Sequence, residues 1–173
     1  MKTEQLIQLL KDCGAIKFGH FVLTSGAVSD YYIDIKNAST DPNTLKKIAE
    51  AMAEHAEGYD LIAGMELGAV PLVVALSLKT KIPYVIVRKD KRGHGTNKQI
   101  EGGSVKNKKV LVIEDVTTSG GSVVKTLQIL HENHGKVDKV LVVVDRESGA
   151  GEKIKNLNVE FVPLLSVSKI LEK

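Results

Sequence analysis

Glu114 and Asp115 stand side by side in VLVIEDVTTSGGSV, Val110 to Val123, directly after four apolar residues and directly before a run of hydroxyls and glycines. The apolar run reads as a buried strand, and the acids fall at its end. Thr117, Thr118, Ser119, Gly120, Gly121 and Ser122 then open a helix, whose positive end, backbone N–H groups and hydroxyls form a cradle suited to a phosphate. A Walker loop is excluded because the Gly-Lys-Ser/Thr signature is missing. A plain helix cap following a strand-closing acid remains the alternative for the turn taken alone. Two carboxylates beside a phosphate repel it unless each has its own cationic or hydroxyl partner, so the pair implies a ligand that carries neighbouring hydroxyls as well. A ribose 5-phosphate has that layout.

A second stretch, VRKDKRGHGTNKQIEGG, Val87 to Gly103, gathers Arg88, Lys89, Lys91, Arg92, His94 and Lys98 among glycines, with no periodic apolar face. It reads as a mobile cationic loop, with a solvated surface loop as the alternative. A third, DRESGAGE, Asp145 to Glu152, follows the apolar run VLVVV and offers Arg146, whose planar fork can pair bidentately with a carboxylate. The competing reading pairs Arg146 with its neighbours Asp145 or Glu147 at a helix start.

These stretches resemble the motifs of type I phosphoribosyltransferases, and of orotate phosphoribosyltransferases in particular. VLVIEDVTTSGGS resembles the motif for phosphoribosyl pyrophosphate (PRPP), with Thr117 where an aliphatic residue is common. By that resemblance Glu114 and Asp115 face the ribose hydroxyls, and the segment from Val116 through Thr117, Thr118, Ser119, Gly120 and Gly121 to Ser122 wraps the 5-phosphate. The Val87–Gly103 stretch resembles the catalytic loop, in which Arg88, Lys89, Arg92 and His94 would bind PRPP. Arg92 stands where the family usually has lysine, and Lys91 just before it, so either could fill that role; Arg92, Lys91 and Asp115 are the implied catalytic residues. DRESG resembles the segment whose arginine meets the pyrimidine carboxylate, which implies an orotate site of Arg146, Thr118 and Tyr32.

The N-terminal FGHFVLTSGAVSDYYIDIK resembles the family's hood, matching at Phe21, Leu23, Ser25, Gly26, Ser29 and Tyr31, with Thr24 where some members have a lysine. AGMELGAVPL lies where members make a pyrophosphate-binding turn, and some carry a lysine at the position of Gly68, so backbone N–H groups would do more of the binding here. The resemblance implies transfer of the phosphoribosyl group to orotate in pyrimidine (UMP) biosynthesis, with magnesium held mainly through PRPP rather than by protein ligands, in a homodimer with shared active sites. A phosphoribosyltransferase for another base and a PRPP-binding regulator are the alternatives.

The elements that must position these residues follow from the hydrophobic pattern. TEQLIQLLKDCG reads as a short amphipathic helix. Runs at Phe21 to Leu23 and Tyr31 to Ile35 suggest a hairpin beside the main sheet. DPNTLKKIAEAMAEHAE starts a helix at Asp41 and Pro42 that continues to Gly58. Thereafter YDLIAG, PYVIVRK, KKVLVIED, KVLVVVD and VEFVPLL read as strands, alternating with helices from about Ala69 to Lys79 and Gly120 to Asn133 and a short one before the last strand. Consecutive apolar residues are expected of strands covered on both faces, hence an α/β fold with a central, mostly parallel sheet flanked by helices. Residues 1–173 read as one domain, with 1–40 forming a small N-terminal hood.

Composition agrees with an ordinary globular chain: 173 residues, 43% hydrophobic and 26% charged, give room for one sizeable core. A net charge of +3, without a basic stripe interleaved with aromatics, argues against nucleic acid as a partner. The single cysteine, Cys13, excludes an internal disulfide and a cysteine metal cluster. His131 and His134 are three apart on a helix with no third ligand nearby, and read as exposed polar residues at its end. No apolar run approaches the ~20 residues that span a bilayer, so a cytoplasmic location without membrane partners is expected.

Overall fold

The computed structural model describes residues 3–22, 28–90 and 98–172. Helix α1 (Thr3–Asp12) buries Leu6 and Leu10 and leads into a hairpin of β1 (Ile16–Val22) and β2 (Val28–Ile33). The hairpin exists as expected, but its strands are shifted: the first begins at Ile16, with a bulge between Phe18 and Phe21, and the second ends at Ile33. Ile35 belongs instead to a one-turn helix, α2 (Ile35–Ala38), because the Asp34 carboxylate accepts from the Asn37 N–H and turns the chain. Helix α3 (Pro42–Ala53) starts as the Asp-Pro signal indicates, with Asp41 accepting from the Thr44 N–H at 2.7 Å, but it stops at Ala53, short of Gly58.

The main sheet holds β3 (Leu61–Met65), β4 (Tyr84–Val87), β5 (Ile100–Gly102), β6 (Lys109–Thr117), β7 (Lys136–Asp145) and β8 (Glu160–Ser166), in the order β5-β4-β3-β6-β7-β8. All neighbours run parallel except β4 and β5. Strand β5 corrects the expectation of an uninterrupted loop from Val87 to Gly103. It is three residues long with a single apolar side chain, too little to register as a period, and is held by pairing with β4. Pro163 lies in the outermost strand β8, the position in a sheet where a residue lacking an N–H is tolerated. Between the strands run α4 (Val70–Thr80), α5 (Gly121–Glu132) and α6 (Ala150–Lys155), and α7 (Val167–Leu171) follows β8.

Alternation along the strands divides the core in two. Ile62, Leu111, Ile113 and Leu141 face one side, under α1, α3, α4 and the root of the hairpin. Ala63, Val110, Val112 and Val140 face the other, under α5 and α6 through Val123, Leu127, Leu130 and Ile154. Both faces of β6 and β7 are therefore buried, which is why their sequences are apolar without a break. The chain order places a topological switch between β3 and β6: β4 lies outward from β3 on one side, β7 outward from β6 on the other. In open α/β sheets a crevice forms beyond the strand ends at such a point.

Leu141 is fully buried on the central strand β7. Leu141→Ala is expected to cost about 2–5 kcal/mol by removing buried methyl groups and leaving a cavity. Urea unfolding should show a lower midpoint with an unchanged slope; an unchanged midpoint would mean that this layer is not packed as described.

Candidate active site

At the switch between β3 and β6 lies a cavity of about 460 Å³, walled by Glu66 and Gly68 beyond β3, Glu114 and Asp115 on β6, Ser122 and Lys125 on α5, Lys89 beyond β4, and Lys36 on α2. The strand alternation that divides the core also sends the two acids toward different partners. Glu114 follows Val112 onto the α5 side, where its carboxyl accepts from the Ser122 hydroxyl at 2.8 Å and from the Asp115 N–H at 3.1 Å. Asp115 follows Ile113 onto the α2 side, where Lys36 Nζ lies 3.8 Å from its carboxylate. Each acid thus has its own partner, one a hydroxyl and the other a cation.

Burial, reinforced by the neighbouring Asp115 side chain, pushes Glu114 up from its ordinary 4.5 to about 8, against the Ser122 hydrogen bond that lowers it. The upward shift favours the protonated form of Glu114, so the pair carries less negative charge than two free carboxylates would.

Beyond Asp115 the chain passes through half-buried Val116 to Thr117, the last residue of β6, which is buried and donates its hydroxyl to Asp145 at 3.0 Å. Thr118 and Ser119 are exposed. Gly120 takes the N-cap of α5 with φ 77, a left-handed conformation favouring glycine, and a Cβ there would lie 3.2 Å from Ala150. Having no side chain, it leaves the first N–H groups of α5 open, with Gly121 and Ser122 exposed beside them. Lys153 of α6 braces this turn by donating to the Ser119 carbonyl at 2.9 Å. Thr118, Ser119, Gly121 and Ser122 of the expected cradle are thus exposed, while the Thr117 hydroxyl fastens β6 to β7.

Arg146 begins where β7 ends. Its N–H donates to the Thr117 carbonyl at 2.9 Å, and its guanidinium carbon lies 5.1 Å from the Tyr31 ring centre. Both acids that could have claimed it are engaged: Asp145 with Thr117 and the Glu147 N–H, Glu147 with the N–H and hydroxyl of Ser168. Among the described residues Arg146 has no carboxylate partner. Tyr32 lies beside Tyr31 in β2 with its ring 5.6 Å from Phe21.

The cationic stretch is seen at both of its ends. Arg88 sits with its head 3.7 Å from Glu101 on β5, and its N–H pairs with Gln99. Lys89 lines the cavity, its N–H donating to Glu66 at 3.0 Å and its carbonyl accepting from Lys125, which also lies 3.6 Å from Asp90. Lys91, Arg92 and His94 fall outside the described residues, as do Leu23, Thr24, Ser25 and Gly26 of the hood motif. His131 lies at the opposite edge of the sheet, beside Lys109 and Lys136 at the starts of β6 and β7. Sequence reasoning passed over Lys36, Glu66 and Lys125. Their contacts span distant segments, and no local pattern marks them.

Residues 34–163 match the phosphoribosyl transferase domain family. The orotate phosphoribosyltransferase of Pyrococcus horikoshii is 53% identical, over 98% of this chain and 93% of that protein. The crystal structure of the orotate phosphoribosyltransferase from Aeropyrum pernix superposes with a TM-score of 0.86 at 34% identity, covering 96% of each chain. The Mycobacterium tuberculosis orotate phosphoribosyltransferase, solved in complex with PRPP, superposes with a TM-score of 0.81 at 27% identity, over 97% of this chain and 98% of that one.

The elevated Glu114 carboxyl has a consequence for folding. Between about pH 4.5 and 8 the folded chain keeps a proton that the unfolded chain has released. The stability this proton contributes is complete below pH 4.5 and is lost as pH rises through about 8. Melting the ligand-free protein at about pH 5 and pH 8 should therefore show a decline that Glu114→Gln, which cannot titrate, reduces. An equal decline in both proteins would place the Glu114 carboxyl in its ordinary range.

Proposed function

The chain belongs to the orotate phosphoribosyltransferases, and from that membership we propose that it moves the phosphoribosyl group of PRPP onto orotate, yielding orotidine 5′-phosphate and pyrophosphate for pyrimidine biosynthesis. The observation that carries the reading is the separated acid pair, Glu114 with Ser122 and Asp115 with Lys36, directly ahead of an uncapped helix N-terminus. The bond between the sugar's anomeric carbon and the pyrophosphate oxygen breaks, a bond from that carbon to the orotate ring nitrogen forms, and the proton of that nitrogen is given up to the departing pyrophosphate or to water. Positive charge grows on the sugar and negative charge on the leaving group, so the protein's work is to orient, neutralise and exclude water.

Thr118 to Ser122 and the first turn of α5 take the 5-phosphate, and Glu114 and Asp115 orient the ribose hydroxyls. Arg146 takes the orotate carboxylate, with Thr118 beside it and Tyr32 contributing from the hood; Tyr31, already against Arg146, is the nearer ring. Arg88, Lys89, His94, and Arg92 or Lys91 neutralise the departing pyrophosphate. Among the described residues no three His, Cys, Asp or Glu side chains are gathered to hold a metal, whereas two carboxyl groups stand beside the cavity. That donor set suits magnesium bound chiefly through substrate oxygens and water, with Asp115 and Glu114 the nearby protein carboxyls. When bound, magnesium supplies charge neutralisation at the pyrophosphate.

The unit is the whole chain, residues 1–173, with 1–40 as its hood, acting in the cytoplasm as a homodimer with shared sites. Exposed Leu67, Leu78 and Tyr84 around α4 support a partner surface there. Among the described residues no helix is long and apolar enough to cross a membrane.

Mixing protein, PRPP, magnesium and orotate should remove orotate absorbance, with adenine, hypoxanthine and uracil as inert parallel acceptors. Charge-assisted hydrogen bonds are typically worth ~1.5–3 kcal/mol, so Arg146→Ala should lower kcat/KM for orotate by about one to two orders of magnitude while leaving PRPP affinity nearly unchanged. Loss of PRPP binding with orotate affinity intact would remove Arg146 from the base site.

A further inference from the structure

Lys36 projects into the cavity from a backbone with little freedom. Helix α2 is capped by Asp34, Asn37 donates to the Cys13 carbonyl at 3.2 Å, and Ile35 and Ala38 are buried on either side. Its ammonium is loosely held. The side chain is 63% exposed, and 3.8 Å from Asp115 is longer than a tight charge-assisted hydrogen bond. Asp115 is buried, but a 3.8 Å contact to an ammonium mostly in water is a weak one, so holding Asp115 is not by itself a reason for a cation lining the cavity.

The opposite wall gives one. A Cβ on Gly68 would lie 2.3 Å from the Asp115 carboxylate oxygen and 2.5 Å from its carbon, so the turn between β3 and α4 cannot carry a side chain while Asp115 keeps its place. Lys125 is drawn toward the Lys89 carbonyl and Asp90. On the Asp115 side of the cavity, among the described residues, the cation open to a ligand is Lys36.

We propose that Lys36 is a substrate-binding residue, whose ammonium leaves Asp115 to contact the pyrophosphate group of PRPP and so supplies the charge that the Gly68 turn excludes. This rests on the PRPP-dependent reaction assigned above. It also explains why the hood is rooted beside the catalytic acid: one short helix carries both the end of the hairpin and the cation.

Titration calorimetry with magnesium pyrophosphate on the intact protein reads this contact without turnover. Lys36→Gln should weaken pyrophosphate about tenfold or more, and raise the KM for PRPP in parallel, as expected for one lost charge-assisted contact. Lys36→Arg should recover most of both, orotate KM should change less than about twofold, and the melting temperature should stay within about 2 °C, since a 3.8 Å contact from a mostly exposed lysine contributes little to folding. Wild-type pyrophosphate affinity in Lys36→Gln overturns the proposal, and so does a large fall in its melting temperature, which would make Lys36 structural. Failure of the unmodified protein to convert orotate would sink the transferase reading instead, and the pyrophosphate titration would still report on Lys36 separately.

Discussion

The site depends on a single constraint, that side chains on a strand alternate between its two faces. Because β6 is buried on both faces up to Ile113, the next two residues inherit opposite directions, and two adjacent carboxyl groups meet different partners through the same geometry that packs the core. One is delivered to the hydroxyl at the start of α5 and the other to the lysine of α2. Opposite directions give the acids different partners, yet they stay close enough for Asp115 to raise the cost of ionising Glu114. Adjacent placement gives a cavity with one carboxyl whose pKa burial raises and one beside a cation.

The surrounding elements serve this division. Helices α5 and α6 close one face of the sheet, and Gly120, packed against Ala150, brings the phosphate cradle to the junction between them. The hairpin and α2 close the other face near the site, so Tyr31 meets Arg146 and Lys36 meets Asp115. The Thr117–Asp145 hydrogen bond joins the ends of β6 and β7 and thereby sets the distance between the cradle and the arginine. A residue that the sequence assigns to the ligand thus serves through its hydroxyl as a fastener between two neighbouring strands.

What could be read in advance follows from how local the responsible physics is. Strands β6 and β7 are legible because consecutive apolar residues report burial on both faces, and the start of α3 because Asp41 and Pro42 act within one turn. The place of Arg146 just beyond β7 is legible because the apolar run before it ends at Asp145. Strand β5 is not, since its one apolar residue, Ile100, carries no period and its pairing with β4 is non-local. Helix α2 is a single turn inside an apolar run that mimics a strand, which is why Ile35 was expected in the hairpin. Lys36, Glu66 and Lys125 acquire their contacts only when distant segments meet. The closeness of Gly68 to Asp115 is likewise invisible until β3 and β6 are neighbours.

The margins of the main sheet bear on how copies of this chain can associate. An outer strand with a free row of backbone donors and acceptors invites another chain to pair with it. Here one margin is β8, where Pro163 has no N–H to offer a newcomer, and the other is β5, only three residues long and ending at Gly102 with φ 111. Neither gives a long template, so lengthening the sheet from molecule to molecule is discouraged at both ends. Any contact between copies is left to side-chain surfaces, where a mutation can tune it without reopening the backbone ladder.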